Sequence, residues 1–247
     1  MDVFFMKVGI LIIGSLLWDI EKKKRINWRQ QRLIIADKIK VKVPISYGRL
    51  SIRKKDGNKS YTMIFSSGAK SNGELGSAYL VPLKDSNVDI IGIIEEAEWL
   101  SFVEGCVDEK NDKSFQMVLG NKYKWAVIGY VLGPNISIKN KEAIKDIWTK
   151  KYEKEGANNY FEKHNEFEPP LVKDNGCLDL QLMALNEAEQ SLIDDFDLVL
   201  TTCTLPTGKL SIEEQVKIAI KDDRKYFINN IKEGVKTFID DKIIEKM

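Results

Sequence analysis

The sequence predicts an α+β protein: a mixed or antiparallel sheet, closed or half closed into a small barrel over residues 1–133, with an appended helical layer over 134–247 packed on the same core. Three observations carry that prediction. Residues 8–132 hold short β-branched or aromatic runs separated by turn chemistry. Beyond about residue 140 the apolar spacing turns helical and carries capping signatures. No Gly/Ser linker or low-complexity tract divides the two parts, so one core serves both. At 247 residues and 43% hydrophobic content, the chain can bury a core of substantial size.

The first strand is the apolar run from Val8 to Ile13, which ends in Gly14-Ser15-Leu16-Leu17-Trp18. Lys7 and Asp19 bound only eleven uncharged residues, fewer than the roughly 20 that a membrane-spanning helix needs. The flanks also lack a small-residue cleavage pattern. A buried first strand is the reading, and a cytoplasmic chain with no membrane association is the expectation. Further strands follow at Ile39–Val43, Gly48–Arg53, Tyr61–Phe65, Gly76–Val81 and Trp125–Leu132, with turns at Lys55–Asn58 and Lys70–Gly73. One helix interrupts them, Ile93–Gly105, where Ala97, Leu100 and Val103 repeat at helical spacing and Gly105 supplies the stop.

In the second half Asn140 begins a helix, Asn186 precedes Glu189 by three, and Ser211-Ile-Glu-Glu214 has the form of a capping box. Glu166–Pro170 reads as a turn, and Asp197–Thr202 as a further strand. Lys225–Lys242 carries Phe227, Ile228, Ile231, Val235, Phe238 and Ile239 on one face, an amphipathic helix that packs on its own sheet.

Composition excludes several functions. Lys and Arg number 38 against 37 Asp and Glu, so no global field draws in nucleic acid or an anionic membrane. Cys106, Cys177 and Cys203 lie 71 and 26 residues apart, a spacing of neither a disulfide framework nor a zinc knuckle. The single histidine, His164, rules out a His-rich metal site and any mechanism with several imidazoles. It sits in the polar segment 160–168, where a solvated or capping role is expected, and the basic run Glu21–Arg25 reads as solvated surface.

What remains is carboxylate chemistry. A Gly-Ser pair at the end of a buried strand offers backbone N–H groups to a ligand carboxylate or carbonyl. Glu104 falls on the last turn of the 93–105 helix, electrostatically odd because the negative end of the helix dipole repels it. Glu95, Glu96 and Glu98 on the same helix are expected to be solvated. Arg49 and Arg53 share a strand face with Ser51, and an arginine there suits a bidentate grip on a carboxylate.

Taken in order, Gly14-Ser15-Leu16-Leu17-Trp18, Tyr47-Gly-Arg-Leu-Ser51, Gly76-Ser-Ala-Tyr-Leu-Val81 and the helix end Trp99-Leu-Ser-Phe-Val-Glu-Gly105 resemble the γ-glutamylcyclotransferase superfamily over residues 8–132. The Gly-Ser-Leu-x-Trp stretch is most similar to its glutathione-specific branch. The resemblance implies that family's barrel-like fold and a cofactor-independent, metal-free reaction. In it the α-amine of a γ-glutamyl group attacks its own γ-carbonyl, releasing 5-oxoproline and an amine or peptide. Glu104 matches the position of the family's general acid/base, and Gly14, Ser15 and Leu16 match its substrate-binding loop. The family carries an aromatic residue before Gly-Ser where this chain has Ile13; Tyr47 or Tyr79 is expected to supply the missing hydroxyl, with Arg49 as a further substrate-binding group. Two other readings compete. One is a catalytically silent small-ligand or regulatory module of the same fold; the other is a thiol enzyme using Cys106. A small γ-glutamyl substrate is the expected partner, and the sequence names no protein partner.

Overall fold

A computed structural model describes residues 5–52, 59–106, 125–208, 211–221 and 224–245. Its strands are β1 (Val8–Ile12), β2 (Ile39–Val43), β3 (Ile45–Ile52), β4 (Lys59–Phe65), β5 (Gly76–Pro82), β6 (Ala126–Leu132), β7 (Met183–Ala184) and β8 (Leu198–Thr204). Its α-helices are α1 (Lys23–Arg32), α2 (Ser67–Ser71), α3 (Ile90–Glu104), α4 (Ile138–Glu155), α5 (Asn158–Asn165), α6 (Gln190–Asp194), α7 (Ile212–Lys221), α8 (Arg224–Lys232) and α9 (Asp240–Glu245). Each strand expected over residues 8–132 is present within a few residues of its expected bounds. Arg53 and the expected turn at Lys55–Asn58 lie outside the described residues, except that β3 and β4 flank them.

Six strands form one sheet in the order β6-β8-β1-β5-β2-β7, and β3 pairs with β4 as a separate hairpin. All neighbours in the large sheet are antiparallel except β1 and β8. The α+β class and the mixed sheet therefore hold. The sheet is open among the described residues, with β6 and β7 as its two edges, and does not close into a barrel. The second half of the chain also departs from an appended helical layer, because β8 sits inside the sheet between β6 and β1. Its residues Leu198–Cys203 are all buried, the continuous apolar pattern of a strand covered on both faces.

The helices follow local sequence rules, with informative exceptions. On α3, Ile93, Ala97, Leu100 and Val103 turn inward and Gly105 ends the helix at φ 88°, a left-handed conformation that favours glycine. The helix expected from Asn140 begins two residues earlier, at Ile138, because Ser137 caps it, accepting from Asn140 N–H. At α7 the capping box forms reciprocally: Ser211 N–H donates to Glu214 and Glu214 N–H to the Ser211 hydroxyl. The single helix expected over 225–242 is instead two, α8 and α9. Gly234 at φ 77° breaks it, and Lys236 then bridges to Ser77 at the start of β5. Trp148 Nε1 and the Tyr152 hydroxyl on α4 both donate to the Ile128 carbonyl, at 2.9 and 2.6 Å, and so seat that helix on β6.

Candidate functional site

Because β1 and β8 run parallel, their C-terminal ends lie at the same end of the sheet, the side on which ligands of such strand pairs collect. A cavity of about 700 Å³ opens there. Its walls come from the loop after β1, the end of β8, the β3–β4 hairpin, the end of α3 and the start of α8. Gly14, Ser15, Leu16, Arg49 and Glu104 all line it, so five of the seven residues singled out from the sequence meet in one place.

The loop is a single tight turn. Leu17 N–H donates to the Gly14 carbonyl, and Trp18 and Asp19 N–H both donate to the Ser15 carbonyl. The N–H groups of Ser15 and Leu16 have no acceptor among the described residues. Gly14 leaves little room above itself, for a Cβ there would stand 3.0 Å from the Tyr226 hydroxyl.

The residue that joins loop and helix is Arg25, and the sequence reading missed it. Its Nη1 donates to the Ser15 hydroxyl at 2.8 Å and to Asp19 at 2.9 Å. Its Nη2 donates to Glu104 Oε2 at 2.8 Å, and its Nε to the Val103 carbonyl at 3.2 Å. The dipole argument against a carboxylate at this helix end is thereby answered: Arg25 neutralises Glu104 and caps a C-terminal carbonyl, and Lys24 donates to the Phe102 carbonyl beside it. Glu104 Oε1 keeps no partner among the described residues. One turn further along α1, Arg29 donates to the Leu16 and Asp19 carbonyls, and burial lowers its proton affinity. The expected solvated basic run thus places one cation in the interior. Arg25, Trp28, Arg29 and Arg32 recur at i, i+3, i+4 and i+7, a one-face spacing that points to a polar, inward stripe. That stripe also corrects Glu96, which is buried and accepts from Trp28 Nε1 and Arg32.

Both tyrosines expected in the site lie elsewhere. Tyr47 is buried against Tyr61 and Phe227, with burial and the Asp240 carboxyl raising its hydroxyl well above the ordinary range. The reason is a bulge: the β3–β4 register shifts between Tyr47 and Arg49, so the simple alternation that would share a face between them is broken at Gly48. Tyr79 lies under Lys38 and beside Gly234, where a Cβ would meet its hydroxyl at 2.9 Å. The tyrosine that does reach the cavity is Tyr226 of α8. Burial pushes its hydroxyl up to about 12, opposed by Asn230, the Met63 backbone and Arg25. Trp18 packs edge-on against Tyr226 and donates to Asn230 at 2.7 Å, so the second half of the chain closes over the loop of the first.

Arg49 is held at a different wall. Its Nη1 donates to the Leu205 carbonyl at 3.1 Å and its guanidinium lies 4.9 Å from the Trp125 ring centroid. Cys106 is enclosed and does not line the cavity, and burial together with Glu104 drives its thiol far above the ordinary range, an environment that disfavours the thiolate. His164 is neither solvated nor in the cavity. It is buried against Tyr160 with Nδ1 on the Glu168 carbonyl, and burial lowers its proton affinity. No three His, Cys, Asp or Glu side chains converge as a metal set, and no helix is long and apolar enough to cross a membrane, among the described residues. Comparison with family models, curated proteins and solved structures returns no match to this chain.

Proposed function

We propose that the protein is a γ-glutamylcyclotransferase-type enzyme, acting on a γ-glutamyl amide or peptide without metal or organic cofactor. One observation carries the reading: Glu104 and the Gly14-Ser15-Leu16 turn line the same cavity and are tied together through Arg25. Nucleophile and electrophile belong to one substrate molecule, so the protein's tasks are to fold it into ring-closing geometry and to move a proton.

The substrate's α-amine attacks the γ-carbonyl carbon, and the bond from that carbon to the leaving nitrogen breaks. Glu104 takes the proton from the attacking amine on Oε1 and returns it to the leaving nitrogen, ending as it began. Arg25 holds Oε2 throughout, so the carboxylate cannot swing away from the loop. The Ser15 and Leu16 N–H groups meet the oxygen on which negative charge develops. The expected role of Tyr47 or Tyr79 passes to Tyr226, whose hydroxyl borders Gly14.

The test is direct. The protein is incubated with glutathione, γ-glutamyl dipeptides and γ-glutamylamines, and 5-oxoproline is measured. Glu104→Gln is expected to keep the fold while lowering turnover by about a hundredfold or more. If the wild type forms no 5-oxoproline from any of them, or Glu104→Gln forms it at the wild-type rate, the proposal fails. Ligand binding without product would favour the silent binding module.

A further inference from the structure

Glu104 stands among cations. Arg25 donates to it, Lys22 lies in its field, and Lys24 reaches the Phe102 carbonyl at the same helix end. Tyr226 and Cys106 also face it, but burial disfavours their ionised forms, so neither adds charge. Such a setting hinders a general base. An opposite charge within about 4–6 Å lowers a carboxyl's affinity for a proton by about 10- to 1000-fold, and a base serves best when that affinity matches the working pH.

Asp19 supplies the opposing charge. Its Oδ2 accepts from Arg25 Nη1 at 2.9 Å while Nη2 serves Glu104 at 2.8 Å, so one guanidinium is divided between two carboxylates. Asp19 is itself fixed by its surroundings: Oδ1 accepts the Glu21 N–H at 2.8 Å, and its carbonyl accepts from Arg29 at 2.7 Å. Lys22 and Arg29 also lie in its field. At 13% exposure its charge is only partly screened by water. The third carboxylate of the wall, Glu21, is 69% exposed and pairs with Lys225 instead.

Building on the proposed function, we infer that Asp19 is a positioning residue for the reaction: it anchors Arg25 on the loop side and offsets its charge, which keeps Glu104 able to accept the proton of the attacking amine. Glu104 moves the proton. Asp19 acts through the shared guanidinium and binds no part of the substrate.

The experiment uses Asp19→Asn and Asp19→Ser, two neutral replacements of different size that each keep an oxygen for Arg25, and Asp19→Glu, which keeps the charge. It measures 5-oxoproline release against pH with the best substrate of the panel above. The neutral variants are expected to move the acidic limb of kcat/KM to lower pH by about one unit and to lower the plateau about 3- to 10-fold, with KM within about threefold of wild type. Asp19→Glu is expected to return the limb toward its wild-type position. Below the limb the neutral variants equal or exceed wild type, a crossing that lost packing does not produce. Carbon-13 NMR reads the same effect without turnover: the Glu104 carboxyl signal, assigned by its absence in Glu104→Gln, is expected to titrate at lower pH in the neutral variants than in wild type. An unmoved carboxyl titration, an unmoved limb, or a limb unmoved while KM rises overturns the inference. A carboxyl titration that moves, with no 5-oxoproline from any substrate even in wild type, upholds the coupling of Asp19 to Glu104 and sinks the catalytic reading.

Discussion

Arg25→Met isolates the interaction on which the geometry of the site depends. The substitution keeps much of the side chain's apolar stem and removes four hydrogen bonds, to Ser15, Asp19, Glu104 and the Val103 carbonyl. Bonds to charged partners contribute roughly 1.5–3 kcal/mol each, but their sum overstates the loss because such networks are not additive. Removing one member of a buried pair costs about 3–5 kcal/mol, mainly through the charge left behind. Here the stranded carboxylates of Glu104 and Asp19 are 19% and 13% exposed, so water regains part of their solvation. A loss of about 3 kcal/mol, at the lower edge of that range, is expected. Urea unfolding at neutral pH reads it as a lower midpoint at unchanged slope. Arg25→Met combined with Glu104→Gln removes one of the stranded charges and is expected to recover about 1 kcal/mol. A loss under about 1 kcal/mol in the single variant, or a double variant equal to the sum of its parts, refutes the reasoning.

Gly14→Val directs its branches at the Tyr226 hydroxyl, only 3.0 Å from the first added carbon, and is expected to weaken γ-glutamyl ligand binding at least tenfold in calorimetry while the thermal transition persists. Cys106→Ser is expected to keep turnover within about threefold of wild type, since the Cys106 side chain is buried and does not line the cavity; loss of turnover there, with activity retained in Glu104→Gln, would instead support the thiol mechanism. Asp240 is fully buried, and burial raises its carboxyl from 3.8 to about 6 against the Thr237 hydrogen bonds. The folded state therefore binds this proton more tightly than the unfolded state. The stabilisation is complete below about pH 4 and is lost as pH rises through 6, a change on the order of 2–3 kcal/mol. Asp240→Asn is expected to remove that slope, and parallel stability curves for wild type and variant between pH 4 and 7.5 would contradict it.

Much of the architecture was legible in the chain because it is written in short-range patterns. Alternation and turn residues announce β2 and β4, helical spacing and Gly105 announce α3, and Ser211 with Glu214 announces α7. The site was legible in part. Gly14, Ser15, Leu16, Arg49 and Glu104 converge as expected, while Tyr47 and Tyr79 do not. Tyr47 was lost to a bulge, which inverts faces without leaving a periodic trace, and the 225–242 helix was lost to the pairing of Lys236 with Ser77. A glycine inside a helical pattern permits such a break but does not command it.

Local patterns in the chain suffice for the class of the fold, the extent of most elements and the chemistry on offer: one acidic side chain at a helix end, a small-residue turn, and no imidazole set. The open sheet, the entry of β8 into its middle, and the completion of the cavity by Arg25 and Tyr226 come from contacts between distant segments. The difference is one of range. Propensity and capping act within a few residues, whereas Arg25 meets Glu104 across 79 positions and Trp18 meets Asn230 across 212. Which of several neighbouring lysines and arginines turns inward depends on the buried carboxylates and carbonyls that await it, and those are assembled only when the chain folds.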